Sequence, residues 1–344
     1  MPRRASGSAR TRFALAGSGR RAALAGGGAL AALIGAAALA TAGGPAHAAA
    51  TPPAKAVPGS PQHAPHPAYY LALGDSLAQG VQPATPPLAS GDTLGESIET
   101  DAGYANDLYT HYAQAFHGAL QLVKLGCPGE TTTSMLTGAG SPCSYPQGSQ
   151  LAAALAFIKA HRGQIKLITI DIGANNVDGC VASGGISQSC VAGGIAALEH
   201  DLPLILGPLR DAAGPRTMIA GMNLYDPFLA DDLTTGSAAA AAQAAATQSV
   251  TLAEDINQII ASADQDFNVK TADVQDAFST TDFTDTTTMP GAGTVPLNVA
   301  RICEWTWMCA PSPVGPNIHA NATGYEVLAG AFEQAIGELP ARHH

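Results

Sequence analysis

The chain has 344 residues and a formal net charge of -11, with 12% charged and 46% hydrophobic residues. A chain of this length and composition can bury a large core without a metal or a partner, and it is too apolar to be globally disordered. Because its charge balance is acidic, it lacks the positive surface that binds phosphate backbones, so we expect no nucleic-acid partner.

The first 48 residues have the pattern of an export signal. Six arginines precede an apolar run rich in Ala and Gly, the segment contains no acidic residue, and it ends at Ala46-His47-Ala48. This pattern predicts a signal peptide, residues 1–48, and a secreted protein with no stable membrane insertion after cleavage. A permanent anchor fits less well because the run is only weakly hydrophobic. Arg20-Arg21 would also suit a twin-arginine signal, so the export route stays open.

Beyond the signal, residues 49–67 are rich in proline and predict an extended linker, and residues 68–340 are the predicted folded domain. Without the first 48 residues the chain keeps 10 basic and 27 acidic residues, a net charge of -17. Such a charge favours solubility and disfavours strong attraction to anionic membranes.

Short apolar runs alternate with segments of helical periodicity from residue 69 onward. The runs that predict strands are 69–74, 120–126, 165–173, 216–223 and 267–274. The segments that predict helices are the one in which Tyr104, Leu108, Tyr112 and Phe116 repeat every four residues, and then 149–163, 194–214, 237–264 and 322–339. We expect the helix 194–214 to be kinked or restarted at Pro203.

The alternation predicts an α/β fold, namely a three-layer α/β/α sandwich around a central, mainly parallel sheet of about five strands. In such folds ligands bind at the carboxyl ends of the strands. Three polar or glycine-rich segments follow predicted strands: residues 74–77 (GDSL), 126–129 (GCPG) and 173–176 (GANN). They are the first places to look for a site.

Within these segments Ser76 is a candidate nucleophile, because a serine between a buried strand and a helix can be held rigidly at the sheet edge. A helix cap is an equally good interpretation of Ser76 alone. Asn175 and Gly129 could donate to a developing oxyanion, although each would by itself be an ordinary turn residue. Among ten histidines, His319 is the best candidate base because it lies in a loop directly before the last helix.

Six cysteines lie in the exported part, an even number that indicates disulfides. Six cysteines allow 15 connectivities, of which we favour the three local pairs Cys127–Cys143, Cys180–Cys190 and Cys303–Cys309. No C-x-x-C motif is present, which disfavours a zinc knuckle or a redox dithiol.

Taken together in chain order, Gly74-Asp75-Ser76-Leu77, Gly129, Gly173-x-Asn175 and His319 resemble the SGNH, or GDSL-type, hydrolase family. The resemblance covers residues 69–338, and the secreted actinobacterial-type esterases and lipases with three disulfides look most similar. It implies a flavodoxin-like fold, Ser76 as nucleophile and His319 as general base. It also implies an oxyanion hole made by the Ser76 and Gly129 N–H groups and the Asn175 side chain, and it requires no metal or cofactor.

Two positions depart from the family pattern. Asn176 stands where the family has Asp after the oxyanion Asn, and Pro316 stands where the family has the Asp that orients the histidine. We therefore expect a Ser76–His319 dyad in which a main-chain carbonyl, from Pro316 or Asn317, accepts from the imidazole. An Asp distant from His319 in sequence, such as Asp75 or Asp285, remains an alternative third group.

The resulting prediction is a secreted, monomeric carboxylic-ester hydrolase, an esterase or lipase acting on a small-molecule or lipid ester through an acyl-enzyme. A carbohydrate O-deacetylase of the same family is the first alternative, and a non-catalytic extracellular binding module is the second. Trp305 and Trp307, within the Cys303–Cys309 loop, either line the substrate pocket or anchor that loop on the core.

Overall fold

A parallel sheet of five strands forms the centre of the domain. The computed structural model describes residues 67–182 and 185–340; the predicted signal peptide, and the predicted linker apart from Pro67, lie outside them. The strands are β1 (Ala68–Gly74), β2 (Leu120–Lys124), β3 (Ile165–Asp171), β4 (Met218–Met222) and β5 (Lys270–Ala272). Their order is β2-β1-β3-β4-β5 and every neighbouring pair is parallel, which confirms the expected sheet.

Helices cover both faces of this sheet, as a sheet with apolar residues on both faces requires. They are α1 (Tyr104–Ala113), α2 (Thr132–Thr137), α3 (Gln150–Ala160), α4 (Gln188–Ala213), α5 (Ala239–Asp266), α6 (Val274–Ala277), α7 (Leu297–Trp305) and α8 (Ala322–Ile336). The helices α1 and α8 pack on one face, and α3, α4 and α5 pack on the other. The three-layer sandwich is thereby confirmed.

Polar caps explain where two of these helices begin. The Ser149 side chain accepts from the Ala152 N–H at 3.1 Å, and the Asn321 side chain accepts from the Gly324 N–H at 3.0 Å. Each cap satisfies a main-chain donor that the first turn of a helix leaves without a partner. The cap at Asn321 fixes the start of α8 two residues after His319.

The helix α4 is continuous through Pro203 and Pro208, so of the two expectations for Pro203 the restart is wrong. Both prolines lie on its exposed face, where water can satisfy the carbonyl groups that lose a partner. The opposite face buries Leu198, Leu202 and Leu209 and holds the helix together. Among the described helices, α4 alone has the length and apolar character of a membrane span, a criterion that a core helix also meets.

Four short hairpins decorate the sandwich: 82–83 with 97–98, 181–182 with 185–186, 286–289 with 293–296, and 306–307 with 317–320. Short 3₁₀ helices occupy Gln114–Phe116, Ala174–Asn176, Asp178–Cys180, Pro227–Leu233 and Gly236–Ala238. The hairpin between Thr306–Trp307 and Asn317–Ala320 carries His319, a residue that we expected in a loop.

The strand order also determines where a ligand can bind. From β1 the chain continues outward to β2, whereas β3 and the strands after it lie on the other side of β1. The connections therefore diverge between β1 and β3, which opens a crevice at the carboxyl ends of these two strands. Ser76 follows β1 and Asn175 follows β3, so both residues lie at this crevice.

Candidate active site

Ser76 lies in a tight turn directly after β1 and is 9% exposed. The turn begins at Gly74, whose φ of +129° is a conformation that residues with a Cβ rarely adopt. A Cβ at Gly74 would also collide with the Asp171 carbonyl. The Val81 N–H donates to the Ser76 carbonyl at 3.1 Å and closes the turn. The main chain therefore presents the Ser76 hydroxyl in a fixed position.

The imidazole of His319 meets this hydroxyl. The distance between His319 Nε2 and Ser76 Oγ is 2.8 Å, within hydrogen-bond range. Burial lowers the pKa of His319 to about 4, so the ring is neutral at ordinary pH and can accept a proton. A neutral base in contact with a hydroxyl is the arrangement that nucleophilic catalysis by serine requires.

The contacts of Asn317 fix the tautomer of His319. Asn317 Oδ1 accepts from the His319 main-chain N–H at 3.0 Å and lies 2.7 Å from His319 Nδ1. Because the main-chain N–H needs an acceptor, this atom of Asn317 must be the amide oxygen. The same oxygen then requires a proton on Nδ1, which leaves the lone pair of Nε2 directed at Ser76.

This contact corrects the expected orienting group. We predicted a main-chain carbonyl from Pro316 or Asn317, whereas the side-chain amide of Asn317 holds the imidazole. Pro316 is exposed, and neither alternative Asp takes its place. Asp75 contacts the hydroxyl of Ser76 at 3.4 Å, and the Asp285 carbonyl accepts from Leu297 N–H at 2.8 Å.

Asp75 and Asp171 form a pair of buried carboxyl groups beneath the nucleophile. Asp171 Oδ2 accepts from the Asp75 and Ala78 N–H groups, both at 3.2 Å, and Tyr104 Oη donates to Asp171 Oδ1. Asp75 Oδ1 in turn accepts from the Leu77 N–H at 3.0 Å. Burial raises the pKa of both carboxyl groups, and their mutual repulsion raises that of Asp171 further. The pair supports the turn that carries Ser76 through these main-chain contacts.

The two expected oxyanion donors lie on adjacent loops. Asn175 Nδ2 donates to the Glu130 carbonyl at 3.0 Å and to Asp75 Oδ2 at 3.3 Å. Gly129 directly precedes Glu130 and has a φ of +83°. Within the described residues no protein acceptor takes the Gly129 N–H. The Asn175 amide thus connects the Gly129 turn to the turn that carries Ser76.

Further amide side chains brace these loops. Asn176 Oδ1 accepts from the Thr132 N–H at 3.0 Å, and Asn176 Nδ2 donates to Thr132 Oγ1 at 2.8 Å. An amide can donate and accept in this way, which a carboxylate at position 176 could not. Gln150 does the same for Gly74, accepting from its N–H at 2.7 Å and donating to its carbonyl at 2.9 Å. The departure at Asn176 therefore has a structural role.

A cavity of about 50 Å³ opens beside Ser76 and His319. Its walls are mainly apolar and include Leu77, Leu224, Tyr225, Pro227 and Ile318. A single water molecule needs roughly 10–15 Å³ of cavity volume measured in this way, so the cavity accommodates only a few heavy atoms.

Neither Trp305 nor Trp307 is among the residues that line this cavity, and both have packing contacts elsewhere. Trp305 packs edge-on against Phe278 at 5.2 Å and lies under the Arg301 guanidinium at 5.1 Å. Trp307 Nε1 donates to Gln82 Oε1 at 3.4 Å. Both rings hold the 303–309 loop on the core, which leaves the cavity to residues of the sheet edge.

Asp178 is a site residue that the sequence analysis missed. Its side chain lines the cavity and makes no hydrogen bond among the described residues. Burial, followed by repulsion from Asp75 and Asp226, raises the pKa of Asp178 to about 8. No site role was predicted for Asp178 or for the residues that support the turn, because none of them belongs to a short motif; these are Asp171, Tyr104 and Gln150. One signal was available, since Asp171 is a charged residue at the end of an otherwise apolar strand.

The three disulfides pair the cysteines in the order that we favoured: Cys127–Cys143, Cys180–Cys190 and Cys303–Cys309. The first closes a loop around Gly129, and the second begins two residues after Asp178. The third encloses Thr306–Trp307, the strand that pairs with the strand of His319. Each disulfide thus restrains a loop beside the candidate site.

The sequence model of the GDSL-like lipase/acylhydrolase family matches residues 72–327, well over half of the chain. The chain belongs to this family. Its members' activity makes the protein a carboxylic-ester hydrolase, and the GDSL segment that gives the family its name is the turn at residues 74–77. No curated protein sequence matches the chain significantly.

Three solved structures illustrate the likeness of this GDSL-family chain to other hydrolases. An extracellular lipase from Streptomyces rimosus shares 19% identity over 78% of this chain and 99% of its own, with a TM-score of 0.45. A phospholipase A1 from Streptomyces albidoflavus shares 17% over 78% and 99%, with a TM-score of 0.45. An acetyl-xylooligosaccharide esterase from Geobacillus, solved as a variant, shares 14% over 81% and 98%, with a TM-score of 0.43.

Proposed function

We propose that the protein is a secreted serine esterase that cleaves carboxylic esters through Ser76 and His319. The observation that carries the proposal is the 2.8 Å contact between Ser76 Oγ and His319 Nε2, with Nδ1 held by Asn317. A module that only bound its ligand would not need a nucleophile, a base and an orienting group in hydrogen-bond contact with one another. The preserved geometry therefore supports catalysis over the alternative of a non-catalytic binding module.

The proposed reaction passes through an acyl-enzyme. Ser76 Oγ attacks the ester carbonyl while His319 takes its proton, and His319 then protonates the departing alcohol. Water, activated by the same imidazole, attacks the acyl-enzyme and releases the acid. The Ser76 N–H, the Gly129 N–H and the Asn175 amide stabilise the two oxyanions. The amide hydrogen of Asn175 that makes the longer, 3.3 Å contact with Asp75 is the one available to the oxyanion.

The cavity favours a short acyl group. A volume of about 50 Å³ accommodates acetyl to butyryl groups, whereas a long fatty-acyl chain would have to lie outside the cavity. This is the specific observation in favour of the second candidate function, an O-deacetylase acting on a carbohydrate. We therefore propose short-chain esters as substrates and treat hydrolysis of lipid esters as the outcome that would displace this view.

Secretion and a monomeric state complete the proposal. Three disulfides are consistent with an oxidising compartment, where such bonds persist. The predicted signal peptide, residues 1–48, supports the same localisation. Neither the attack nor the deacylation requires a cofactor.

The test is hydrolysis of p-nitrophenyl esters from acetate to palmitate by the wild-type chain and by Ser76→Ala and His319→Ala. We expect both variants to lose at least about a thousandfold in kcat/KM, because members of such a unit fail together. Ser237→Ala, at an exposed serine outside the site, is the matched control and should be unaffected. Equal hydrolysis by all four proteins would refute the assignment.

Acyl length decides between the substrate classes. Each methylene that the cavity excludes forfeits up to about 0.8 kcal/mol of burial, roughly fourfold in kcat/KM. We therefore expect kcat/KM to stop rising beyond butyrate, so that octanoate gains none of the roughly fourfold per methylene that a longer cavity would give. Maximal activity on palmitate would instead establish a lipase, and activity confined to acetate would favour the deacetylase.

A further inference from the structure

A second, larger cavity lies at the amino-terminal edge of the sheet, opposite the candidate active site. Its volume is about 590 Å³, within the usual range of small-molecule sites. It is bounded by Ile165 at the start of β3, Met218 at the start of β4 and Lys270 at the start of β5. Ser76 and Asn175 follow the carboxyl ends of β1 and β3, at the other edge of the sheet. A ligand in this cavity would therefore leave the active-site crevice free.

Positive charge is concentrated around this cavity. Five cationic side chains line it: Arg162, Lys166, Arg210, Arg216 and Lys270. Residues 67–182 and 185–340 contain eight Lys and Arg in all, so more than half of them gather here in a strongly acidic chain. Asp211 is the one carboxylate among the residues that line this cavity.

Arg210 is held rigidly within this group. Its guanidinium donates to the carbonyls of Phe267 at 3.1 Å, Gly214 at 3.2 Å, Thr217 at 2.9 Å and Asn268 at 2.6 Å. Carbonyl dipoles hold the group in place without neutralising its charge. A fixed positive charge is thereby built into the wall of the cavity.

Three other cations remain available to a ligand. Arg162, Arg216 and Lys270 are exposed, and in the described part of the chain none of them pairs with a carboxylate. Lys166 donates to the Gly163 carbonyl at 3.2 Å and adds its charge from a partly buried position. Gathering like charges is unfavourable unless an opposite charge compensates them. The lining thus holds five cations and one carboxylate, an excess of positive charge that an anionic ligand can compensate.

The acidic remainder of the chain does not cancel this attraction. At physiological ionic strength charges are screened beyond about 8 Å, so an anion inside the cavity responds mainly to the nearest cations. Guanidinium groups bind phosphate and carboxylate oxygens in pairs, with good geometry. The floor of the cavity is apolar, with Phe116, Ile165 and Leu339, and would accept the carbon skeleton of an organic anion.

We propose that this cavity binds a small molecule that carries two or more anionic oxygen groups, either phosphates or carboxylates. Its concave shape and limited volume favour a discrete molecule over an extended anionic membrane. The site is separate from Ser76 and His319, so it constitutes a binding function beyond ester hydrolysis.

The test is isothermal titration calorimetry of the wild-type chain, at low ionic strength, with sodium tripolyphosphate and with citrate. We expect saturable binding with one site per chain and an affinity that falls as salt is added. A variant carrying Arg162→Gln, Arg216→Gln and Lys270→Gln should bind at least about tenfold more weakly, because it removes three positive charges that donate charge-assisted hydrogen bonds to an anion. Comparison of the two probes shows whether phosphate or carboxylate is preferred.

Two controls distinguish binding in this cavity from non-specific attraction of anions to the protein surface. Lys159→Gln removes an exposed cation outside the cavity, and it should keep the wild-type affinity. Esterase activity of the triple variant should equal that of the wild type, which also shows that the variant is folded. Absence of saturable binding, or an equal loss in Lys159→Gln and the triple variant, would overturn the proposal. So would binding to vesicles of phosphatidylcholine and phosphatidylglycerol that neither small anion displaces.

Discussion

The side-chain amide of Asn317 is the feature of the site that can be changed most informatively. It occupies the place of a carboxylate next to the imidazole, with Oδ1 2.7 Å from His319 Nδ1. Asn317→Asp keeps the shape and both acceptor contacts of Oδ1 and adds a negative charge. The only other contact of this side chain, from Nδ2 to Ser97 Oγ at 3.4 Å, can be replaced by donation from the serine hydroxyl.

The magnitude follows from the pKa of His319, which burial lowers to about 4. An opposite charge in contact raises the pKa of a titrating group by about 1–3 units. The acidic limb of kcat/KM, where His319 loses its proton as the pH rises, should therefore move from near pH 4 to about pH 5–7. Each unit stabilises the imidazolium by about 1.4 kcal/mol, so activity at pH 8 should rise by up to about tenfold per unit.

Asn317→Ala makes the opposite change. It removes the acceptor from Nδ1 and forfeits a hydrogen bond to the imidazolium that forms in the transition state. Such a bond contributes about 1.5–3 kcal/mol, so kcat/KM should fall roughly 10- to 150-fold at pH 8. KM should change little because Asn317 is absent from the cavity walls.

The assay is a pH profile of kcat/KM for p-nitrophenyl butyrate between pH 3.5 and 9. Ser97→Ala removes only the 3.4 Å contact of Asn317, and it should reproduce the wild-type profile. An acidic limb that stays near pH 4 in Asn317→Asp, together with full activity in Asn317→Ala, would show that Asn317 does not orient the base.

Three further predictions concern the surroundings of the site. The carboxyl of Asp178, whose pKa is raised to about 8, is neutral below that pH and becomes negative above it. That charge opposes the oxyanion, so the pH profile of the wild type should fall above pH 8 and that of Asp178→Asn should not. Gly74→Ala should destabilise the fold by at least about 3 kcal/mol more than Gly140→Ala in thermal unfolding, because both have positive φ but only Gly74 lacks space for a Cβ. Mild reduction of Cys303–Cys309 should depress esterase activity before the near-ultraviolet circular dichroism changes, and simultaneous loss of both signals would contradict a role for that disulfide in holding His319.

Sequence reasoning succeeded where a local pattern carries a physical constraint. The five strands were recognisable because each is a short apolar run. The GDSL segment was recognisable because Gly129, Gly173-x-Asn175 and His319 follow it in the order of the family pattern. His319 was found by exclusion of histidines on helices and in the terminal segments. The continuity of α4 through Pro203 was not predictable, because the effect of a proline depends on which face of the helix it occupies, and packing decides that face.

The orienting group was missed for a different reason. The family pattern directed attention to the residue three positions before His319, and Pro316 has no side-chain acceptor. Asn317 reaches Nδ1 because residues 317–320 form a strand, in which side chains two residues apart lie on the same face. A loop conformation, as expected from the sequence, gave no reason to pair positions 317 and 319.

The ionisable groups around Ser76 share one property, which is that burial disfavours their charged forms. Asn317 is neutral, and the pKa of His319 is low. The pKa values of Asp75, Asp171 and Asp178 are raised by burial. Attack by Ser76 then creates an oxyanion and an imidazolium together, in surroundings of low polarity. Their mutual attraction is strong there, and no fixed carboxylate stabilises the imidazolium in advance.

The low pKa of His319 makes proton transfer unfavourable by itself, so the oxyanion donors must compensate for it. For this reason we expect Asn175→Ala to cost more than the roughly 100-fold that removal of one oxyanion donor costs at the low end of its usual range. An effect below tenfold in kcat would show that charge stabilisation in this site does not depend on the Asn175 amide.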